Sequence, residues 1–427
     1  MEPLNLHAPA DRRQFLARAG LTGATWLTMA SHFLARAQET PRARRAPARS
    51  IIVLWLEGGA SQLETFDPHP GSDIAAGTGA IASAVRGVQL APGLPRTADE
   101  LGSIALVRSM VSREGDHERA SYTMKTGFRP DPTVVHPSIG AVLCHQLPQA
   151  GADIPRHVSI LPGQWPARGG FLGDQFDAFR TGDPAAPVPD TTSPAPPERD
   201  QNRLRDLDVV ERAFARRRQG RVDGTLHRAT VAAARQMMSS EQLRAFDVSA
   251  EPLALRRSYG DTPFGRACLA ARRLTEVGVR CIEVTLGGWD THANNHALHR
   301  NLLEILDPAL SALIRDLRQR DLLDSTVVLC AGEFGRTPRI NLAGGRDHWP
   351  NGFSVALAGG GIRGGTVIGS TDADGKKDPT DPVSVADLHA TVLSAADIDI
   401  ARVNQTPIGR TVRFSEGTPV DGLMNRN

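Results

Sequence analysis

Ile51-Ile52-Val53-Leu54-Trp55-Leu56-Glu57-Gly58-Gly59 reads as a strand buried on both faces that stops in a paired-glycine turn. An unbroken apolar run leaves no polar face for water, so its sheet must be covered on two sides. Similar runs recur at Ser103 to Val107, His157 to Leu161, Val279 to Leu286, Thr326 to Cys330 and Phe353 to Leu357. Between them lie segments of helical period, notably Phe264 to Val277, Leu298 to Arg320 and Val385 to Ala396. This alternation predicts an α/β fold, with a mostly parallel sheet flanked by helices on both faces. In such sheets ligands gather at the carboxyl ends of the strands.

Ahead of the first strand, Arg12-Arg13 precede a mildly apolar stretch from Ala19 to Leu34 and then Ala35-Arg36-Ala37. Paired arginines, an h-region and an A-x-A site predict a twin-arginine signal peptide over 1–37, cut after Ala37 by an export pathway. The stretch falls short of the roughly 20 apolar residues of a span, so no stable transmembrane segment is expected. The mature protein is expected in the periplasm or outside the cell. Removing 1–37 takes away four arginines, Glu2 and Asp11 and leaves 45 basic and 45 acidic residues. A neutral chain gives no electrostatic case for a nucleic-acid partner.

A linker over 38–50 leads into one domain over 51–427. Within it, a Pro-rich loop from Thr181 to Pro197 and a charged helical stretch to Phe246 read as an insertion spanning 181–250. Arg216-Arg217-Arg218 in that stretch reads as a solvated helix face. Cys144, Cys268, Cys281 and Cys330 lack C-x-x-C spacing, which argues against a zinc ribbon or a redox pair.

Four clusters follow predicted strands. Gly58-Gly59 lead to Glu64 and Asp67, which offer hard oxygen ligands. Gly287-Gly288-Trp289-Asp290-Thr291-His292 places a carboxylate and an imidazole on a glycine turn, a pairing suited to zinc or manganese. Gly332-Glu333-Phe334-Gly335-Arg336 offers a ligand in Glu333 and an oxyanion fork in Arg336. Gly344-Gly345-Arg346-Asp347-His348 adds two further candidates, with Asp347 able either to ligate or to hold the second nitrogen of a histidine.

These segments, with Phe66-Asp67-Pro68, Gly335-Arg336-Thr337-Pro338 and Asp347-His348-Trp349-Pro350, make the chain resemble the bacterial family DUF1501 of the alkaline-phosphatase-like superfamily. The resemblance runs from Ile51 to the C-terminus. Val385 to Leu393 also looks like the late helix of sulfatases. It implies carboxylates and histidines at strand ends holding one or two divalent metals (zinc, manganese or calcium) that act on phosphate or sulfate esters, polysaccharide esters among them. Asp290, His292, Glu333, Asp347 and His348 are the expected metal ligands, with Asp67 a further candidate. The resemblance also implies a Ser, Thr or modified-Cys nucleophile. Counting back from Thr126-Gly127, that place falls on His117, expected as nucleophile or general acid and base, with Arg336 on the oxyanion. The histidine of the sulfatase Ser-Asp-His-Gly segment has become Phe334. Cys268-Leu269-Ala270-Ala271-Arg272 matches the C-x-A-x-R form of formylglycine sites, but it sits inside a predicted helix and lacks the following Thr-Gly. An envelope binding protein that keeps the fold without the nucleophile is the competing expectation.

Overall fold

The computed structural model describes residues 46–148, 151–216, 218, 225–376 and 378–424. The expected signal peptide lies outside them. Among the described residues, no helix is long and apolar enough to cross a membrane.

Among the described residues, nine strands form the main sheet: β1 (Ser50–Leu56), β2 (Ile104–Val111), β3 (His157–Ile160), β4 (Phe179–Thr181), β5 (Cys281–Leu286), β6 (Thr326–Ala331), β7 (Phe353–Ala358), β8 (Val367–Ile368) and β9 (Val383–Ser384). Their order is β8-β2-β7-β6-β1-β5-β3-β4, with β9 also on β2. All pairs not involving β7 are parallel, and β7 runs antiparallel to both β6 and β2. The sheet is therefore mostly parallel, as the apolar runs predict. One consequence positions the site. The carboxyl ends of β1, β2, β3, β5 and β6 and the start of β7 share one edge.

Side chains of β1 alternate between two cores. Ile52, Leu54 and Leu56 pack in the layer of α4 (Pro263–Glu276) and α5 (Asn295–Gln319). Ile51, Val53 and Trp55 face the layer that includes α1 (His117–Thr126), α2 (Ile139–Gln146) and α6 (Val385–Ala395). Two covered faces explain why the strand carries no polar alternation.

In the expected insertion, a helix over Pro197–Ala215 buries none of its residues, and a second, α3 (His227–Ser239), buries only Met237. Arg216 and Arg218 are exposed, in keeping with a solvated face. All four cysteines are free and buried. Cys268 lies in the middle of α4 with no exposure, where it packs as a small apolar side chain.

The glycine turn after β1 is held by sterics. Gly58 has φ +113°, and a Cβ there would lie 2.4 Å from the backbone N of Asp290. Gly59 has φ +79°, and its Cβ would meet the Phe334 ring at 2.5 Å. Gly58→Ala combines a forbidden backbone region with a backbone clash and is expected to cost about 3 kcal/mol. Urea unfolding measures this; a loss below about 0.5 kcal/mol, the range of neutral surface changes, would contradict the steric account.

Candidate functional site

The ends of β1, β2, β5 and β6 and the segment before β7 contribute to the site. Asp290 stands four residues beyond β5, and Glu333 two residues beyond β6. His117 opens α1 beyond the end of β2, with Asp116 capping the helix through the N–H of Arg119. His348 lies in a two-residue strand ahead of β7 that pairs with Gly335-Arg336.

Arg336 ties the loops together. Its side chain is fully buried, and its Nη2 donates to Asp290 Oδ1 at 2.6 Å. The same guanidinium donates to the carbonyls of Gly59 (2.8 Å), Arg346 (3.1 Å) and Gly58. Burial alone would lower its pKa, and the Asp290 carboxylate works against that. The sequence led to an oxyanion fork at Arg336. Its donors instead face three backbone carbonyls and a carboxylate, so it positions Asp290.

Around Asp290 stand three imidazoles. His292 Nε2 lies 3.1 Å and His348 Nε2 3.3 Å from its Oδ1, while His117 Nε2 lies 3.4 Å from its Oδ2. The two nitrogens of His292 and His348 are 3.1 Å apart. Single ligand atoms of His117, Asp290 and His348 all lie within 4.8 Å of one another. The far nitrogen of each ring is anchored: His117 Nδ1 on Glu333 Oε1 (2.7 Å), His292 Nδ1 on Asp347 Oδ1 (2.8 Å) and His348 Nδ1 on the Gly115 carbonyl (2.7 Å). Carboxylates and a carbonyl accept, so each Nδ1 carries the hydrogen. A neutral ring then presents a bare Nε2 to the centre.

Electrostatics follow from these contacts. Burial pushes the Asp290 carboxyl up, but Arg336 and the nearby His117 and His292 prevail and bring it to about 2, so it is ionised at neutral pH. The hydrogen bond to Glu333 raises His117, with burial opposing. His348 is lowered, first by burial. The carboxyl of Asp347 is lowered chiefly by its hydrogen bond to His292.

Of the residues expected as ligands, Asp290, His292 and His348 meet. Glu333 and Asp347 reach the centre by holding histidines: Glu333 Oε1 takes His117 and the Gly58 N–H (2.9 Å), and its buried Oε2 has no hydrogen-bond partner. Asp67 is engaged elsewhere. Its carboxylate accepts from the Thr371 N–H (2.8 Å) and meets His69 (3.1 Å) and Arg108 (3.5 Å), so the expectation of a ligand there gives way to an interior tie between loops. Glu64 likewise pairs with buried Arg346 at 2.9 Å. His299 accepts the Ser61 N–H and is driven down to about 4 by burial. Trp165 escaped sequence reasoning. Beyond β3, its ring stacks on His117 with centroids 5.8 Å apart and planes 8° from parallel. The only local signal was Pro162-Gly163 after a predicted strand.

These features define an α/β protein whose strand ends converge on an Asp–His cluster. The chain belongs to the family described as "Protein of unknown function (DUF1501)", whose model matches residues 48–424. No curated protein matches its sequence. Similar solved structures include a lipoteichoic acid synthase from Listeria monocytogenes, at 10% identity and TM-score 0.42, covering 87% of this chain and 75% of that one. A sulfatase from Pseudoalteromonas is similar at 13% identity and TM-score 0.40, covering 90% and 75%. A protein in the alkaline phosphatase superfamily from Vibrio parahaemolyticus is similar at 14% identity and TM-score 0.37, covering 83% and 68%.

In metal-free protein, Glu333→Gln removes the charge that raises His117, so the imidazole pKa followed by NMR should fall toward the ordinary histidine value. An unchanged His117 titration would contradict the assigned pairing.

Proposed function

We propose that this protein is an exported, metal-dependent hydrolase of phosphate or sulfate esters. The observation that carries the reading is the meeting of two imidazole Nε2 atoms with an ionised carboxylate. His292 Nε2, His348 Nε2 and Asp290 Oδ1 stand 3.1 to 3.3 Å from one another. Acceptors at such distances repel unless protons or a cation lie among them, and burial disfavours protonated His348. The donor set fits a divalent ion. Two imidazoles and a carboxylate suit zinc or manganese better than calcium, which takes mainly oxygen. When bound, such an ion polarises a phosphoryl or sulfuryl oxygen and stabilises the charge of the transition state.

Asp290, His292 and His348 would hold it, with Arg336, Asp347 and the Gly115 carbonyl fixing their orientation. His117 Nε2 faces the other oxygen of the same carboxylate, with its ring beside that of His348. Glu333 keeps its hydrogen on Nδ1 and raises its basicity, so Nε2 can give or take a proton at the ester oxygen. The exported setting rests on Arg12-Arg13 and Ala35-Arg36-Ala37.

A second reading, an envelope binding protein, is favoured by one feature: an imidazole stands where the resemblance calls for a Ser, Thr or Cys nucleophile. Turnover separates the two. With zinc or manganese restored after chelation, aryl and sugar phosphates and sulfates should be hydrolysed, and Asp290→Asn or His348→Ala should abolish this. His117→Ala should lose about 100- to 10,000-fold in kcat/KM, the usual contribution of a general acid or base. Full activity in His117→Ala would overturn its role, and no turnover by metal-loaded wild type would favour the binding protein.

A further inference from the structure

We propose that the exposed end of the helix pair in the insertion docks on an anionic phospholipid surface. The proposal stands apart from the hydrolase reading, since it concerns where the protein rests and not what it converts. The helix over Pro197–Ala215 buries none of its residues, yet Val209, Val210 and Phe214 are large, apolar and 61, 63 and 56% exposed. Helices in proteins draw most of their stability from packing an apolar face, so such residues in water call for a cover. Glu211 meets His227 Nε2 at 2.9 Å and Arg228 Nε at 3.3 Å. These contacts bring the start of α3 alongside, so the exposed Leu226 lies at the same end of the pair as Val210 and Phe214.

Charge decides what the cover is. Residues 197–239 carry ten arginines, no lysine and six carboxylates, whereas the rest of the mature chain is four charges negative. The excess gathers between the two helices, where 216–226 holds Arg216, Arg217, Arg218 and Arg221 against Asp223. Neighbouring carboxylates are engaged, Asp208 by Arg212 and Glu211 by His227 and Arg228. Arg218 also lies over the Phe214 ring, 4.6 Å from its centroid, so a cation and an apolar face are presented together. Arginine forks match phosphodiester oxygens, and in a bilayer acyl carbons lie just beneath them. An anionic leaflet therefore meets both features, with the helices lying on it and not across it. A soluble polyanion would leave Val210 and Phe214 in water, and a second copy would bring one basic end against another.

Sedimentation of the full mature chain with vesicles tests the proposal, comparing an equal mixture of phosphatidylglycerol and phosphatidylcholine with phosphatidylcholine alone. Binding is expected to the mixture only, weakening as salt is added and falling about tenfold or more in each of two double variants. Arg216→Glu with Arg218→Glu reverses the charge, and Val210→Ala with Phe214→Ala removes the apolar side chains while keeping good helix formers. All four side chains are exposed, and circular dichroism with thermal unfolding checks that both variants fold. No binding to the mixture, or equal binding to phosphatidylcholine alone, would overturn the proposal. So would full vesicle binding by the alanine variant, the mark of a polyanion site, or a dimer in analytical ultracentrifugation that the alanine changes dissociate.

Discussion

A single buried guanidinium holds the functional edge of the sheet together. Arg336 cannot leave its charge unmet in the interior, and Asp290, arriving from a different strand end, meets it. The remaining donors take carbonyls of the glycine turn after β1 and of the loop that carries His348. Three chain segments far apart in sequence thus share one centre. The turn can come so close only because Gly58 and Gly59 have no side chains, and their left-handed backbone is the steric counterpart of the charge pairing.

With Asp290 fixed, the cluster around it has a chemical consequence. Each histidine has one nitrogen bound to an outer acceptor, which directs the other, unprotonated, toward the carboxylate. Such outer contacts set tautomer and ring orientation at metal centres. Here they come from Glu333, Asp347 and a backbone carbonyl, and the hydrogen bond to Glu333 raises the basicity of His117. The exposures of Asp290 and His292, 45% and 48%, leave the centre open on the solvent side, as a site that admits an ester must be.

Much of the fold was legible because its long strands are apolar on both faces and its helices carry a clear period. The short strands Phe179–Thr181, Val367–Ile368 and Val383–Ser384 left no such pattern, since two or three residues cannot show a period. Nor does hydrophobicity encode direction, so the antiparallel course of Phe353–Ala358 was invisible, although it delivers His348 to the shared edge. Residue types at the centre were legible from glycine turns after strands. Their roles were less so, because roles depend on partners distant in sequence. Asp67 looked like Asp290 in its local setting, yet Arg108 of a different strand and the Thr371 N–H claim its carboxylate. Arg336 looked free to bind an oxyanion because backbone carbonyls leave no mark in a sequence. Trp165 had no signal beyond the Pro162-Gly163 turn; the stacking on His117 reveals it.

The central claim is that the converging acceptors exist to hold a divalent cation. Metal content by mass spectrometry tests it most directly, on protein purified without chelator or metal-affinity resin, comparing wild type with Asp290→Ala and His348→Ala. The account predicts about one or two zinc, manganese or similar ions per folded wild-type chain, lost in both variants. A metal-free wild type that takes up none on reconstitution, or variants that keep the full complement, would contradict it.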